Sequence, residues 1–252
     1  MTPTKPIIVV TGATGAQGGS VLCALQATER FSLRAVTRNL QAEAAQALAR
    51  SGVELVEGDA TDEQSMERAF AGAWGAYFVT NFWDPAAGLA HDTDLVQGKI
   101  MVNAVVAASR LALTRLCIRG LLCNQLDKRP PRWTPQREKD GLIVIRTPIR
   151  ADVALPVVDL DADFGKFVAP AFLDPAKFHY KKILAVAEYV TVGQMAAAYT
   201  DVTGANIAIV PIPIEDQPNA GLRRRQSSLT STGTTPESTS SRLVCFIETT
   251  LT

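Results

Sequence analysis

The chain has 252 residues, 47% hydrophobic and 20% charged, with 25 basic residues balancing 25 acidic ones. That composition fits a globular protein with room for one large domain, or one plus a small lobe. Zero net charge argues against direct nucleic-acid binding and against an acidic membrane surface as partner, since both need a basic excess. No apolar run approaches the roughly 18 residues of a bilayer span. Before Thr11-Gly12 the apolar stretch is only Ile7 to Val10, too short for a signal-peptide core, so a cytoplasmic location is expected. Cys23, Cys117, Cys123 and Cys245 form no C-x-x-C pair, and only His91 and His179 accompany them. No metal site is expected, and the thiols read as reduced and mostly buried.

The first 110 residues alternate β-rich runs with amphipathic stretches. Ile7–Thr11 (IIVVT) is continuously apolar and β-branched, as a strand covered on both faces requires. A glycine-rich turn follows, then a helix over Ser20–Thr28. Leu33–Thr37 is a second strand, and Leu40–Ser51 an alanine-rich helix closed by Gly52. Val53–Val56 is a third strand ending at Glu57-Gly58-Asp59. Asp62 opens a helix with Met66, Ala69 and Phe70 at helical spacing. Ala76–Thr80 is a fourth strand, and from about Asp94 the row Val96, Ile100, Ala104, Ala107 marks one face of a fourth helix. Four βα units with short connections imply parallel strands and an open, doubly wound sheet; a closed barrel needs eight.

Periodicity fails after Arg110, although Leu113–Ile118 has strand character. Asp127–Gly141, dense in proline and charge, reads as an exposed linker or loop. Order resumes at the strand Leu142–Arg146. Asp161 or Asp163 caps a helix through Phe167 and Val168, and Thr191 with Gln194 has capping-box spacing ahead of a helix stopped by Gly204. Ile207–Ile214 has an edge-strand pattern. The Ser/Thr-rich tail cannot bury enough apolar surface to order itself, and its LVCFI (Leu243–Ile247) is an isolated apolar island. The expected organisation is an α/β fold: a nucleotide-binding Rossmann-like domain over 1–141, a small, incomplete second lobe over 142–214, and a disordered tail over 215–252.

Chemistry concentrates at the carboxyl ends of the first four strands. Gly12, Gly15 and Gly18 of TGATGAQGG give a GxxGxxG turn between a strand and a helix. Gly12 permits the tight turn, Gly15 a close approach to a pyrophosphate, and Gly18 close helix–strand packing, while the helix N-terminus offers free N–H groups. The second strand ends in Thr37-Arg38-Asn39, where NAD-preferring sites usually carry Asp or Glu. A guanidinium engages a 2′-phosphate and no carboxylate repels it, so NADP(H) is expected over NAD(H). Gly58-Asp59-Ala60 falls at the adenine edge of such a site. Thr80-Asn81-Phe82-Trp83 follows the fourth strand, and its aromatic pair either stacks on a ligand or packs on the fourth helix.

VTGATGAQGGSV, LRAVTRN, VEGD, AYFVTNFW and QGK resemble the NmrA-like branch of the atypical short-chain dehydrogenase/reductases. The similarity covers about residues 5–109 and resumes more loosely over about 140–213. It implies that Gly12, Ala13, Thr14, Gly15, Ala16 and Gln17 hold the pyrophosphate, and Arg38 with Asn39 the 2′-phosphate. Asp59 and Ala60 would lie by the adenine, and Thr80, Asn81 and Phe82 along the cofactor. The family places a Tyr- or His-x-x-x-Lys pair in the interval that here is Leu111–Asp140. No such pair occurs anywhere in the chain, so no catalytic residue is assigned. An altered reading frame, splicing or gene decay would account for both aperiodic segments.

The expected function is an NADPH-dependent oxidoreductase acting on a small metabolite. The alternatives are a non-catalytic NADP redox sensor with a protein partner, for which the nucleus is a second location, and a decayed paralogue.

Overall fold

The structure is a computed structural model that describes residues 4–80, 93–108, 113–117, 136–178, 183–213 and 244–249. Packing divides the chain into two units. The first comprises Met1–Arg119, Leu160–Ala185 and Leu243–Thr252; the second comprises Gly120–Asp159 and Val186–Arg242.

The first unit is built around β1 (Ile7–Val10), β2 (Ser32–Thr37), β3 (Glu54–Glu57) and β4 (Gly75–Phe78), joined by α1 (Ala16–Gln26), α2 (Glu43–Arg50) and α3 (Glu63–Phe70). These strands pair in parallel in the order β3-β2-β1-β4, with Val10 level with both Ala35 and Tyr77. Helix α4 (Thr93–Ala108) follows, then β5 (Leu113–Cys117). Successive strand residues face opposite sides of the sheet. Val9, Val36, Ala76 and Phe78 pack on one side with Met66 and Phe70 of α3 and Met101, Ala104 and Val105 of α4. On the other side Tyr77 meets Phe164, ring centroids 6.2 Å apart, at the start of α5 (Phe164–Leu173). Arg34 ties the edge together: its Nε donates to Glu54 at 2.9 Å, and its Nη1 to the Ala69 and Ala71 carbonyls where α3 ends.

Helix α5 lies against α1 with almost no space between backbones. A Cβ at Gly165 would stand 2.0 Å from the Ser20 carbonyl oxygen, and the Gly165 N–H donates to the buried Ser20 hydroxyl at 2.9 Å. Leu160–Ala185 therefore belongs to the first unit. The short α6 (Pro175–Phe178) follows.

The second unit holds β6 (Gln136–Arg137), β7 (Ile143–Thr147), β8 (Ala154–Val157), β9 (Glu188–Thr191), α7 (Val192–Thr203) and β10 (Ile207–Pro211). Its sheet runs β10-β7-β6, and β8 pairs with β9 antiparallel. Thr191 and Gln194 form the expected capping box, and Gly204 ends α7 in the left-handed region at φ +69°.

Several expectations need correction. Helix α1 begins at Ala16, four residues before Ser20, because Gly18 and Gly19 are held inside the helix by their contact with the turn. On α4 the buried row is Gln97, Met101, Ala104 and Val105, while Val96 is exposed. Cys23 is exposed, because α1 turns Val21, Leu22 and Leu25 inward. Asp163 occupies the N-cap of α5, but its carboxylate takes Lys166 instead of a backbone N–H. Residues 136–141, read as loop, form β6 and a tight turn with Gly141 at φ +89°. Val244–Thr249, read as part of a structureless tail, forms β11, antiparallel between β4 and β5. The rest of the linker and tail, at 118–135 and 214–243, lies outside the described residues.

Candidate functional site

The glycine turn leaves β1 at its carboxyl end. Thr11 is buried; its N–H bonds the Tyr77 carbonyl at 2.9 Å and its hydroxyl accepts from the Val79 N–H at 3.1 Å, fixing the turn to the end of β4. Gly12 sits at φ +60°, where any side chain would also meet Val79 at 2.6 Å. The Gly15 N–H closes back on the Gly12 carbonyl at 2.9 Å. A Cβ on Gly18 would lie 2.3 Å from that same carbonyl oxygen, so only glycine brings α1 this close to the strand.

Gly15 is the N-cap of α1, supplies no capping side chain, and no acidic residue stands in the first turn. The helix N-terminus thus presents N–H groups and the positive end of its dipole to an incoming anion. Gly12, Thr14 and Gly15 are exposed, Ala13 is buried, and Ala16 and Gln17 are half-buried. The exposed backbone of this turn is open to an anion. Gln17 adds a feature that spacing does not reveal: its Oε1 accepts from the fully buried Tyr77 hydroxyl at 3.2 Å.

Beside the turn, β2 ends in a loop that holds Arg38 at the surface. The Asn39 N–H donates to the Thr37 hydroxyl at 3.2 Å, and the Asn39 Oδ1 accepts from the Gln41 N–H at 2.9 Å. The Asn39 side-chain oxygen is therefore spent on its own loop, and Arg38 is the cation at this position.

Asp59 follows β3. Gly58 fits between Val36 and Met66, where a Cβ would meet Val36 at 2.7 Å, and its N–H bonds the Thr37 carbonyl. The next N–H, that of Asp59, donates to the buried Ser65 hydroxyl at 3.0 Å. The Asp59 carboxylate accepts from the Thr61 N–H at 2.9 Å and the Thr61 hydroxyl at 2.7 Å. The Thr61 backbone bond is the main reason its pKa lies below the ordinary value. Partial burial opposes the shift, and the Thr61 hydroxyl and the Arg38 charge add to it. Ala60 packs on the α3–α4 side of the core. Thr80 is half-buried beyond β4, with its methyl near Gly98 of α4. Asn81, Phe82 and Trp83 lie outside the described residues.

The site therefore brings together the turn, Arg38, Asp59 and Thr80 at the carboxyl ends of four parallel strands, where open α/β sheets bind ligands. Tyr77, Ser65 and Ser20 were not singled out in sequence. For Tyr77 the available signal was a hydroxyl inside an otherwise apolar strand, which needs a partner once buried. Among the described residues no cluster of His, Cys, Asp and Glu could hold a metal, and no helix is long and apolar enough to cross a membrane.

This sheet order with a glycine turn after its first strand defines a Rossmann-like α/β fold. The sequence profile of the NmrA-like family matches residues 4–111 and 116–231, and the chain belongs to that family. It is 26% identical over 250 residues to the NmrA-like family domain-containing oxidoreductase himF of Aspergillus japonicus, covering 82% of this chain and 76% of that protein. Over 102 residues, 40% of this chain and 29% of the relative, it is 44% identical to the oxidoreductase notA' of Aspergillus versicolor. Its fold is similar to that of NmrA, a negative transcriptional regulator, in complex with NAD (TM-score 0.69, 21% identity) and with NADP (TM-score 0.65, 20% identity). Each comparison covers 90% of this chain and 81% of NmrA.

Proposed function

We propose that this chain binds NADP(H) in preference to NAD(H) and acts as an NADPH-dependent oxidoreductase on a small metabolite. The observation that carries the cofactor preference is Arg38. It stands exposed at the end of β2 beside the glycine turn, with no carboxylate in Thr37-Arg38-Asn39. A guanidinium donates to phosphate oxygens in pairs, and charge-assisted bonds of this kind are the strong ones. The turn and the N-terminus of α1 take the pyrophosphate, and Asp59 lies toward the adenine. When bound, the cofactor supplies hydride. The oxidoreductase names of the relatives support the reaction class.

A thermal-shift titration with NADPH and NADH tests the reading. Ligand at 100 times its Kd stabilises the protein by about 2.7 kcal/mol. The account expects a shift with NADPH at lower concentration than with NADH, and NADPH oxidation with some member of a carbonyl panel. No shift with either nucleotide would refute it.

A second reading is favoured by one observation: the sequence contains no Tyr- or His-x-x-x-Lys pair to protonate a carbonyl oxygen and hold the nicotinamide ribose. On that reading the chain binds NADP(H) without turnover and signals redox state to a protein partner. Binding of NADPH with no oxidation across the panel distinguishes it.

A further inference from the structure

Tyr77 is a polar residue in a strand whose other members are apolar or glycine, and all four are buried. Its ring is held against Phe164, and its backbone is bonded to Thr11 at the base of the glycine turn. The hydroxyl reaches across to the first turn of α1 and donates to the oxygen of the Gln17 carboxamide. A carboxamide has two unlike ends, one accepting and one donating. With the oxygen engaged by Tyr77, the amino group is the end left for another partner. A donor there suits a phosphate oxygen, whereas a carboxamide free to turn would present an acceptor half of the time.

We propose that Tyr77 is a positioning residue of the dinucleotide site, holding Gln17 with its amino group toward the pyrophosphate. The proposal rests on the NADP(H) reading above, and its test separates the two. Calorimetry compares NADPH with adenosine 2′-monophosphate, which carries the adenine and 2′-phosphate but no pyrophosphate. Tyr77→Phe keeps the ring and its Phe164 contact, and its unfolding midpoint checks the fold. The loss of one neutral hydrogen bond predicts NADPH binding weaker by about five- to tenfold. Adenosine 2′-monophosphate should bind unchanged, and the ³¹P resonances of the bound pyrophosphate should move.

Gln17→Ala should cost as much, and the double variant no more than either single change, because both remove one arrangement. Gln17→Glu keeps an oxygen for the hydroxyl but puts a second oxygen where the amino group was, so NADPH affinity should fall further. Unchanged NADPH affinity in Tyr77→Phe would overturn the proposal, as would equal losses for both ligands or single losses that multiply in the double variant. A wild-type protein that binds neither nucleotide overturns the NADP(H) reading itself, and this proposal with it.

Discussion

In residues 7–78 four strands run parallel with a helix between each pair, and the tightest contacts of this unit set a glycine directly against backbone. Gly18 touches the Gly12 carbonyl, and Gly165 touches that of Ser20. In the second unit the sheet β10-β7-β6 mixes parallel and antiparallel pairs, and its elements are set by local devices: the turn at Gly141, the Thr191–Gln194 box and the left-handed Gly204. The first region depends on glycines that leave room for packed backbone, the second on turns and caps that act on their own neighbours. Substitutions should therefore fail in the first region wherever a Cβ has no room, and weaken the second by smaller, local amounts.

The largest effect is expected at Gly165 and Gly18. Alanine at either would drive a methyl into backbone at 2.0 or 2.3 Å, and backbone cannot give way as a flexible side chain does. Urea unfolding should show a loss of about 3 kcal/mol or more for each. Gly19→Ala is the control. Its Cβ would lie 3.4 Å from the Ala13 oxygen, and the change should stay within about 1 kcal/mol, toward stabilisation by helix propensity. Similar losses at all three would contradict the dependence of the first unit on room for a Cβ.

Next is Thr191→Ala, which removes the hydroxyl that accepts from the Gln194 N–H at 3.0 Å. The expected loss is about 1 kcal/mol. Gln194→Ala should behave alike but less strongly, and the two changes should not add fully. A loss as large as that of Gly165→Ala would mean that the second unit is not locally stabilised.

Smaller again is the acid dependence at Asp59. Its folded pKa is lowered, so its contribution is whole above the ordinary aspartate value of about 4. It disappears as pH falls through the lower folded value, when the proton displaces the Thr61 bonds. Asp59→Asn should be less stable than wild type near neutrality, and the gap should close in acid. A gap that widens on acidification would contradict the sign. The smallest effect is expected for Arg150→Ala. The pair it forms with Asp152 is exposed on both sides, and its removal should leave the unfolding midpoint unmoved.

The strands and turns that were readable in sequence are those whose signals are local or whose burial covers both faces. Ile7–Val10, the glycine turn, Gly52 after α2, and the box at Thr191 are of this kind. Arg38 could be placed because a residue at the end of β2 inherits its position from the strand. The need for glycine at 165 has no local signal, since the contact that requires it comes from Ser20, 145 positions away. The Tyr77–Gln17 bond has no local signal because its partners are 60 positions apart, and β11 carried no pattern of its own because its neighbours β4 and β5 supply the pairing. The helix α4 misled periodicity because apolar residues surround it, and burial chose the row facing α3.

The central claim is that Arg38 reads the 2′-phosphate at a nucleotide site built by the glycine turn. Isothermal titration of wild type and Arg38→Ala with NADPH and with NADH tests it most directly. Loss of a charge-assisted contact predicts NADPH binding weaker by roughly ten- to a hundredfold in the variant, with NADH affinity changed little. Equal losses for the two nucleotides, or an Arg38→Ala protein that still prefers NADPH as strongly as wild type, would contradict the account.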